Sequence, residues 1–238
     1  MHSPESQAPA GHILLIGASR GLGHAMAAEL VERGWAVTGT VRGTSHTSLH
    51  DLAARHPRRV TVETLDMNEP SQIAALRGRL SGRVFDVLFV NAGTTNSDPG
   101  QTIGEVDTDE FVRVMVTNAL SPMRVIERLD TLVSGDGVIG VMSSGQGSIA
   151  NNERGGREVY RGSKAALNQY MRSYAARHAD GARAMLSMAP GWIRTDLGGP
   201  DAPFTLEESV PLIIDVLLAQ RGNPGLRYLD RDGRTVPW

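Results

Sequence analysis

Cysteine is absent from all 238 residues of the chain. That excludes disulfides and cysteine-based metal sites. Long apolar runs are missing too: no stretch approaches the roughly 20 residues of a membrane-spanning helix. Nor does either charge dominate. The 24 basic and 26 acidic residues leave a formal net charge of −2, which gives no support to binding of nucleic acid or an anionic membrane. The first ten residues carry neither the basic nor the apolar region of a signal peptide, so residues 1–11 read as a short disordered leader. These absences fit a cytoplasmic protein. Seven histidines include His46 and His50 at i, i+4 spacing. No glutamate completes a zinc-protease pattern, so the pair reads as a solvated helix start and no metal site is expected.

What is present suits a soluble α/β protein. An apolar content of 40% and a charged content of 21% are ordinary for a globular chain, and the length favours one large domain over residues 12–238. Short apolar strands alternate with amphipathic segments, the pattern of a parallel sheet covered by helices on both faces. Strands are expected at His12–Ile16, Trp35–Val41, Val60–Thr64, Val84–Val90, Gly137–Met142 and Ala184–Met188. A helix should run from Leu22 to Arg33. Asp107 with Glu110 reads as a capping box for the helix that carries Asn118, and Thr205 with Glu208 as another, with Pro211 disturbing the turn that follows. Two polar, Gly-rich stretches, 145–158 and 191–203, follow strands at the carboxyl edge of the sheet, where open α/β folds bind ligands. Both are expected to shape a pocket, the second as a mobile lid, with Trp192 and Phe204 either lining it or buried in the core.

The run Gly17-Ala18-Ser19-Arg20-Gly21-Leu22-Gly23 follows the first strand and opens a helix. Gly17 permits the tight turn, and Gly21 and Gly23 let a pyrophosphate approach the backbone. The helix N-terminus beyond offers amides and a positive dipole end to that anion. Folds of this kind that take NAD place an acid roughly 20 residues after the glycines. Here no Asp or Glu occurs between Glu32 and Asp51, whereas Arg20 lies inside the turn and Arg42 just past the second strand. Two forked guanidinium groups suit a 2′-phosphate, so NADP is the expected cofactor. Asn91-Ala92-Gly93 would let backbone pass close to the adenosine part. Asp66 is either an acceptor for the adenine amino group or an N-cap for the helix near Pro70. Tyr160 and Lys164, four apart, share one face of a helix. A cation beside a phenol lowers its pKa from about 10, as a proton donor to a carbonyl oxygen near neutral pH requires. At about 4 Å and an effective dielectric near 20 the pair interacts by roughly 4 kcal/mol. That bounds the shift at about three units, and Lys164 together with an oxidised nicotinamide is expected to bring Tyr160 near 7.

In this order the motifs resemble those of the short-chain dehydrogenase/reductase family over residues 12–238, most closely the small carbonyl reductases of the C-factor and sniffer type. The resemblance implies a single-domain Rossmann-like, doubly wound parallel sheet. It further implies an enzyme that reduces a ketone or aldehyde with NADPH, and the reverse. It makes Tyr160 the general acid/base and Lys164 the residue that holds the nicotinamide ribose and lowers the Tyr pKa. Ser144 would hold the substrate oxygen, and Asn118 would anchor a water in a proton relay. Against the cofactor it places Gly17, Ser19, Arg20, Gly21, Leu22, Gly23, Arg42, Asp66, Met67, Asn91, Ala92 and Gly93. Tyr160, Lys164, Pro190, Gly191, Ile193 and Thr195 would flank the nicotinamide half. It also suggests a homodimer or homotetramer built on the helices of Asn118 and Tyr160. Two departures stand out. Ser144 and Tyr160 are 16 positions apart, three more than expected, which makes 151–158 an enlarged polar loop, and Ser143 competes with Ser144 for its role. Two other readings remain: a non-catalytic NADP sensor or scaffold on the same fold, and a nucleotide-sugar epimerase or dehydratase. The second wants a larger C-terminal region than the 43 residues after Thr195.

Overall fold

A computed structural model describes residues 8–238 of the chain; residues 1–7 of the expected leader lie outside the described residues. Each expected strand forms, and the inner ones are runs of β-branched and long apolar residues covered on both faces, whereas the edge strand Val60–Thr64 buries only Val60. In β1 (His12–Ile16), Ile13 and Leu15 point into one apolar cluster and Leu14 and Ile16 into another. That is the alternation of a strand buried on both sides. The strands β2 (Ala36–Val41), β3 (Val60–Thr64), β4 (Phe85–Val90), β5 (Val133–Met142), β6 (Ala184–Ala189) and β7 (Gly225–Asp230) complete one sheet. Its order is β3-β2-β1-β4-β5-β6-β7, and every pairing is parallel. This is the doubly wound arrangement of a Rossmann fold.

The helices divide between the two faces. One cluster joins the sheet to α1 (Gly21–Glu32), α2 (Ser48–Arg55) and α7 (Leu206–Leu218) through Met26, Leu30, Leu49, Ile213 and Leu217. The other joins it to α3 (Pro70–Arg79), α5 (Ser121–Leu129) and α6 (Glu158–Arg177) through Ile73, Leu76, Ile126, Leu167 and Met171. Truncating any one of these buried leucines to alanine would cost roughly 2–5 kcal/mol. No described helix is long and apolar enough to cross a membrane.

Several details differ from the expectations. Gly225–Asp230 forms an unforeseen edge strand, whose Tyr228 and Leu229 are buried. β5 starts four residues early, at Val133, with a register shift between Phe85 and Val87 of its neighbour. Asp107 is the N-cap of α4 (Thr108–Met115) but makes no side-chain cap bond. The Glu110 carboxylate is taken instead by Ser97 and Arg113, so the expected capping box does not form. The Thr205–Glu208 box does, with both bonds present. Pro211 lies inside α7, where its carbonyl accepts from Arg33 at 3.2 Å. Near α2, His50 caps the helix start with Thr47, and His46 pairs with Asp51 at 2.7 Å.

Candidate active site

The strand order reverses between β1 and β4, and that switch point places the glycine turn beside Asn91-Ala92-Gly93. Ligands of open α/β sheets bind in the crevice beyond such a reversal. The turn is held by Gly17 N–H donating to Thr40 Oγ1 at 2.9 Å and by Asn91 Nδ2 donating to the Gly17 carbonyl at 2.8 Å. Gly17 (φ 86°) and Gly21 (φ 54°) adopt the left-handed region that side chains disfavour. A Cβ on Gly17 would lie 2.7 Å from that of Ala92, whereas one on Gly21 would meet nothing nearer than Thr195 Cγ2 at 4.0 Å. Gly21 therefore borders open space, as a pyrophosphate requires. Gly23 serves packing instead: a Cβ there would lie 2.0 Å from the Gly17 carbonyl oxygen and 2.6 Å from Asn91 Nδ2. Leu22 packs on the core, and Ser19, ahead of Arg20, is half-buried.

The N-terminus of α1 has no side-chain cap and no acid in its first turn. Its first amides lack intrahelical partners, which is what an anion site needs. Arg20 pairs with Asp196 at 2.6 Å, but both side chains are more than three-quarters exposed, so an incoming phosphate can displace that contact cheaply. Arg42 is exposed and pairs with no acid among the described residues. The residues present thus fit a dinucleotide with a 2′-phosphate. Asp66 does not cap the helix near Pro70, whose N-cap is Glu69. Its carboxylate accepts from Asn68 N–H at 3.0 Å, shaping the turn after β3, while Met67 is buried beneath.

Beyond β4 and β5 lies the second half of the site. α6 brings Tyr160, 8% exposed, and Lys164, 3% exposed, onto one face. Lys164 Nζ donates to the Met142 carbonyl at 2.9 Å. Gly93 is small enough for Lys164 Nζ and Asn118 Oδ1 to approach it together, each 3.3 Å from where its Cβ would be. Asn118 sits, fully buried, in a π turn (Val116–Leu120) between α4 and α5. Its amide oxygen accepts from Thr94 N–H at 2.8 Å, and its Nδ2 donates to the Thr94 carbonyl and to Ser163 Oγ. The adjacent serines separate cleanly. Ser143 Oγ is buried and donates to Asn168 Oδ1 at 2.7 Å. Ser144 stands close enough to the Tyr160 phenol to favour its ionised form and accepts from Gln146 N–H at 3.2 Å. Ser144→Ala is therefore expected to lower turnover strongly. Ser143→Ala should show mainly as about 1–3 kcal/mol of lost stability, because Asn168 is left unpaired. Turnover and urea unfolding of the two variants check this, and the reverse order would contradict it.

The electrostatics describe Tyr160 and Lys164 in the protein alone. Burial pushes the Tyr160 phenol up, against the opposing hydrogen bond to Ser144 and the charge of Arg157. Lys164 does not offset that burial. The ammonium is itself desolvated, pushed down to about 8, spends a hydrogen bond on Met142 and lies 5.8 Å from the centre of the phenol ring. Spacing on a helix predicted the neighbour but not the loss of water around both groups. A lysine whose folded pKa is lowered from 10.5 to about 8 carries a penalty that is complete below about 8. Between there and about 10.5 the unfolded chain binds the extra proton, so this group's contribution to stability rises with pH. The difference is worth roughly 3 kcal/mol; the raised Tyr160 acts in the opposite sense only above about 10. Lys164→Met should accordingly be more stable at pH 7, by about 1–3 kcal/mol, while losing turnover. Urea unfolding at pH 7 tests this, and a destabilised variant would contradict it.

The segment after β6 is laced by its own hydrogen bonds. Ile193 bridges to Phe204, Arg194 N–H donates to the Phe204 carbonyl at 2.8 Å, and Gly199 N–H donates to that of Thr195 at 2.8 Å. Thr195 Oγ1 accepts from Gly198 N–H at 3.1 Å. Pro190 and Gly191 (φ 88°) carry the chain out of β6. Trp192 is 49% exposed and donates to the Gly198 carbonyl at 2.7 Å, so it is not core. Phe204 is half-buried beneath the Arg231 guanidinium, whose carbon lies 3.4 Å from the ring centre.

Comparison with known proteins agrees with this geometry. A family model described as enoyl-(acyl carrier protein) reductase matches residues 17–208, from the glycine turn through the loop after β6. The chain belongs to the short-chain dehydrogenase/reductase family. A short-chain dehydrogenase/reductase from Burkholderia multivorans, solved with bound NADP, is 67% identical to it. That match covers 97% of this chain and 100% of that one with a TM-score of 0.95. A carbonyl reductase from Pseudomonas aeruginosa PAO1, in complex with NADP, is 32% identical over 96% and 99% of the two chains, with a TM-score of 0.88. C-signal of Myxococcus xanthus is 34% identical over 155 residues, 64% of this chain and 92% of the relative.

Within this short-chain dehydrogenase/reductase, sequence reasoning missed Thr94, Ser163 and Asn168, which hold Asn118 and Ser143 in place, and Tyr228, whose hydroxyl donates to the Ser144 carbonyl. None belongs to a motif read from the sequence, since each acts through tertiary contact. The Ser163 signal was nearest to hand, one residue before Lys164 on the same helix.

Proposed function

We propose that this oxidoreductase reduces a ketone or aldehyde to an alcohol, and runs the reverse, with NADP as its cofactor and Tyr160 as the proton donor. The observation that carries the reading is the convergence of Ser144, Tyr160 and Lys164, at the same sheet edge as the uncapped N-terminus of α1. Gly17, Gly21 and the α1 amides hold the pyrophosphate, Arg42 and Arg20 the 2′-phosphate, and Asn91, Ala92, Gly93 and Asp66 flank the adenosine side. Ser19, Leu22, Gly23 and Met67 support those contacts, and Lys164, Pro190, Gly191, Ile193 and Thr195 hold the nicotinamide half. NADPH bound there supplies the hydride for the carbonyl carbon.

The chain's own groups handle the oxygen. Ser144 Oγ and the Tyr160 hydroxyl donate to it together, and Tyr160 releases its proton as negative charge develops. A phenol pushed up by burial is fully protonated at neutral pH, which suits the reducing direction. Asn118 spends both ends of its amide on Thr94 and Ser163, so a relay water is held by the backbone of its π turn and not by its side chain. Residues 12–238 act as one domain of a cytoplasmic homo-oligomer, paired over the helices of Asn118 and Tyr160, where Phe111, Val112, Leu120 and Tyr170 are exposed. A ketone and aldehyde panel followed by NADPH absorbance tests the activity. Tight NADPH binding with no carbonyl reduced would favour a binding protein on this fold.

A further inference from the structure

Arg157 is a half-buried cation beside Tyr160 that nothing in the proposed mechanism uses. It is the N-cap of α6, three residues before Tyr160, with φ 50° and ψ 40°. Among the described residues it alone, glycines aside, has a positive φ. Gly155 (φ 65°) and Gly156 (φ 67°) lead into it, so the polar loop delivers an arginine at a backbone conformation that costs a side chain strain. The guanidinium carbon lies 5.3 Å from the centre of the Tyr160 ring. Its Nε is shut off from solvent and has no hydrogen-bond partner.

The neighbouring charges are committed elsewhere. Glu158 accepts from Ile103 N–H at 2.7 Å. Arg161 donates to the Gly156 carbonyl. Arg157 pairs with no acid among the described residues. A partly buried, strained cation with an unpartnered Nε and no counter-ion is costly to keep.

From this we infer that Arg157 selects oxo substrates that carry a carboxylate a few carbon atoms from the carbonyl. The inference rests on the reading of Tyr160 as the group that receives the carbonyl oxygen: with that oxygen on Tyr160, an anion on the same molecule comes within reach of the guanidinium. Its forked donors match a carboxylate in two parallel hydrogen bonds. One guanidinium balances the single charge of a carboxylate and leaves a phosphate dianion half-neutralised.

The test compares levulinate with methyl levulinate, which differ in the anion and not in the carbonyl. In the unaltered enzyme kcat/KM for levulinate should exceed that for the ester by at least about tenfold, as loss of a charge-assisted pair implies. Arg157→Asn should erase the preference, and Arg157→Lys should keep part of it. Asn tolerates the left-handed backbone, so the loop need not refold, and effects transmitted through the Tyr160 ring cancel in the ratio. A ratio near one in the unaltered enzyme, or one that survives Arg157→Asn, would overturn the proposal. Calorimetric binding of valerate, which has no carbonyl to reduce, to the NADP-loaded protein separates this idea from the activity itself. Binding weakened about tenfold or more by Arg157→Asn supports the anion site even if no ketone in the panel turns over. Valerate that binds both proteins equally, or neither, removes it.

Discussion

Tyr160→Phe should lower kcat by about 10²- to 10⁴-fold, the usual worth of a positioned general acid, while NADPH still binds. The substitution leaves the ring, and with it the packing against Lys164 and Arg157, and removes only the hydroxyl beside Ser144. Cofactor contacts at the glycine turn and at Lys164 Nζ are untouched. The loss should therefore fall on kcat and not on the dissociation constant for NADPH, which separates a transition-state role from simple damage to binding. Fluorescence titration with NADPH beside steady-state turnover provides both numbers. A variant reducing its substrate at near-normal rate would leave only a dinucleotide-binding fold.

Arg42→Asp should move the preference from NADPH toward NADH. Arg42 stands past β2 with no acidic partner among the described residues, whereas Arg20 already has Asp196, so under the proposed reading Arg42 is the stronger candidate for 2′-phosphate recognition. Charge-assisted hydrogen bonds contribute about 1.5–3 kcal/mol, roughly a 10- to 100-fold loss in kcat/KM for NADPH. An aspartate at that place adds repulsion of the phosphate and an acceptor for the ribose hydroxyl of NADH. Measuring kcat/KM with both cofactors checks the claim. Equal values for the two in the unaltered protein would sink it.

Why some of this was legible in the sequence and some not has a physical pattern. Ile13–Ile16 in β1 and Val87–Val90 in β4 are apolar runs buried on both faces, and the glycine turn between β1 and α1 has to be glycine at Gly17 and Gly23 because a Cβ would collide. Tyr160 and Lys164 were legible because helical geometry fixes their relative place. β7 was not: Gly225-Leu226-Arg227-Tyr228-Leu229-Asp230 mixes polar and apolar residues, as an edge strand does, and its burial comes from α6 and the C-terminal residues. The Asp107–Glu110 box failed because Ser97 and Arg113 outcompeted the helix start for Glu110. Long-range partners such as Asn168 for Ser143 carry no local signal. The direction of the Tyr160 shift depended on how completely α6 is desolvated, which no spacing reports. The same holds for Arg157: the loop it ends was visible as long and polar, but not that its guanidinium lies over the Tyr160 ring.

The central claim, that NADPH gives hydride to a carbonyl in this site while Tyr160 protonates the oxygen, is tested most directly with NADPH deuterated at the transferable position of the nicotinamide. Incubated with a ketone that the enzyme accepts, the unaltered protein should yield one alcohol enantiomer carrying deuterium at the former carbonyl carbon, as read by mass spectrometry and chiral chromatography. Tyr160→Phe, with its cofactor bound, should yield almost none. Alcohol without deuterium, or bound NADPH that never passes its deuterium to any carbonyl, would contradict the account.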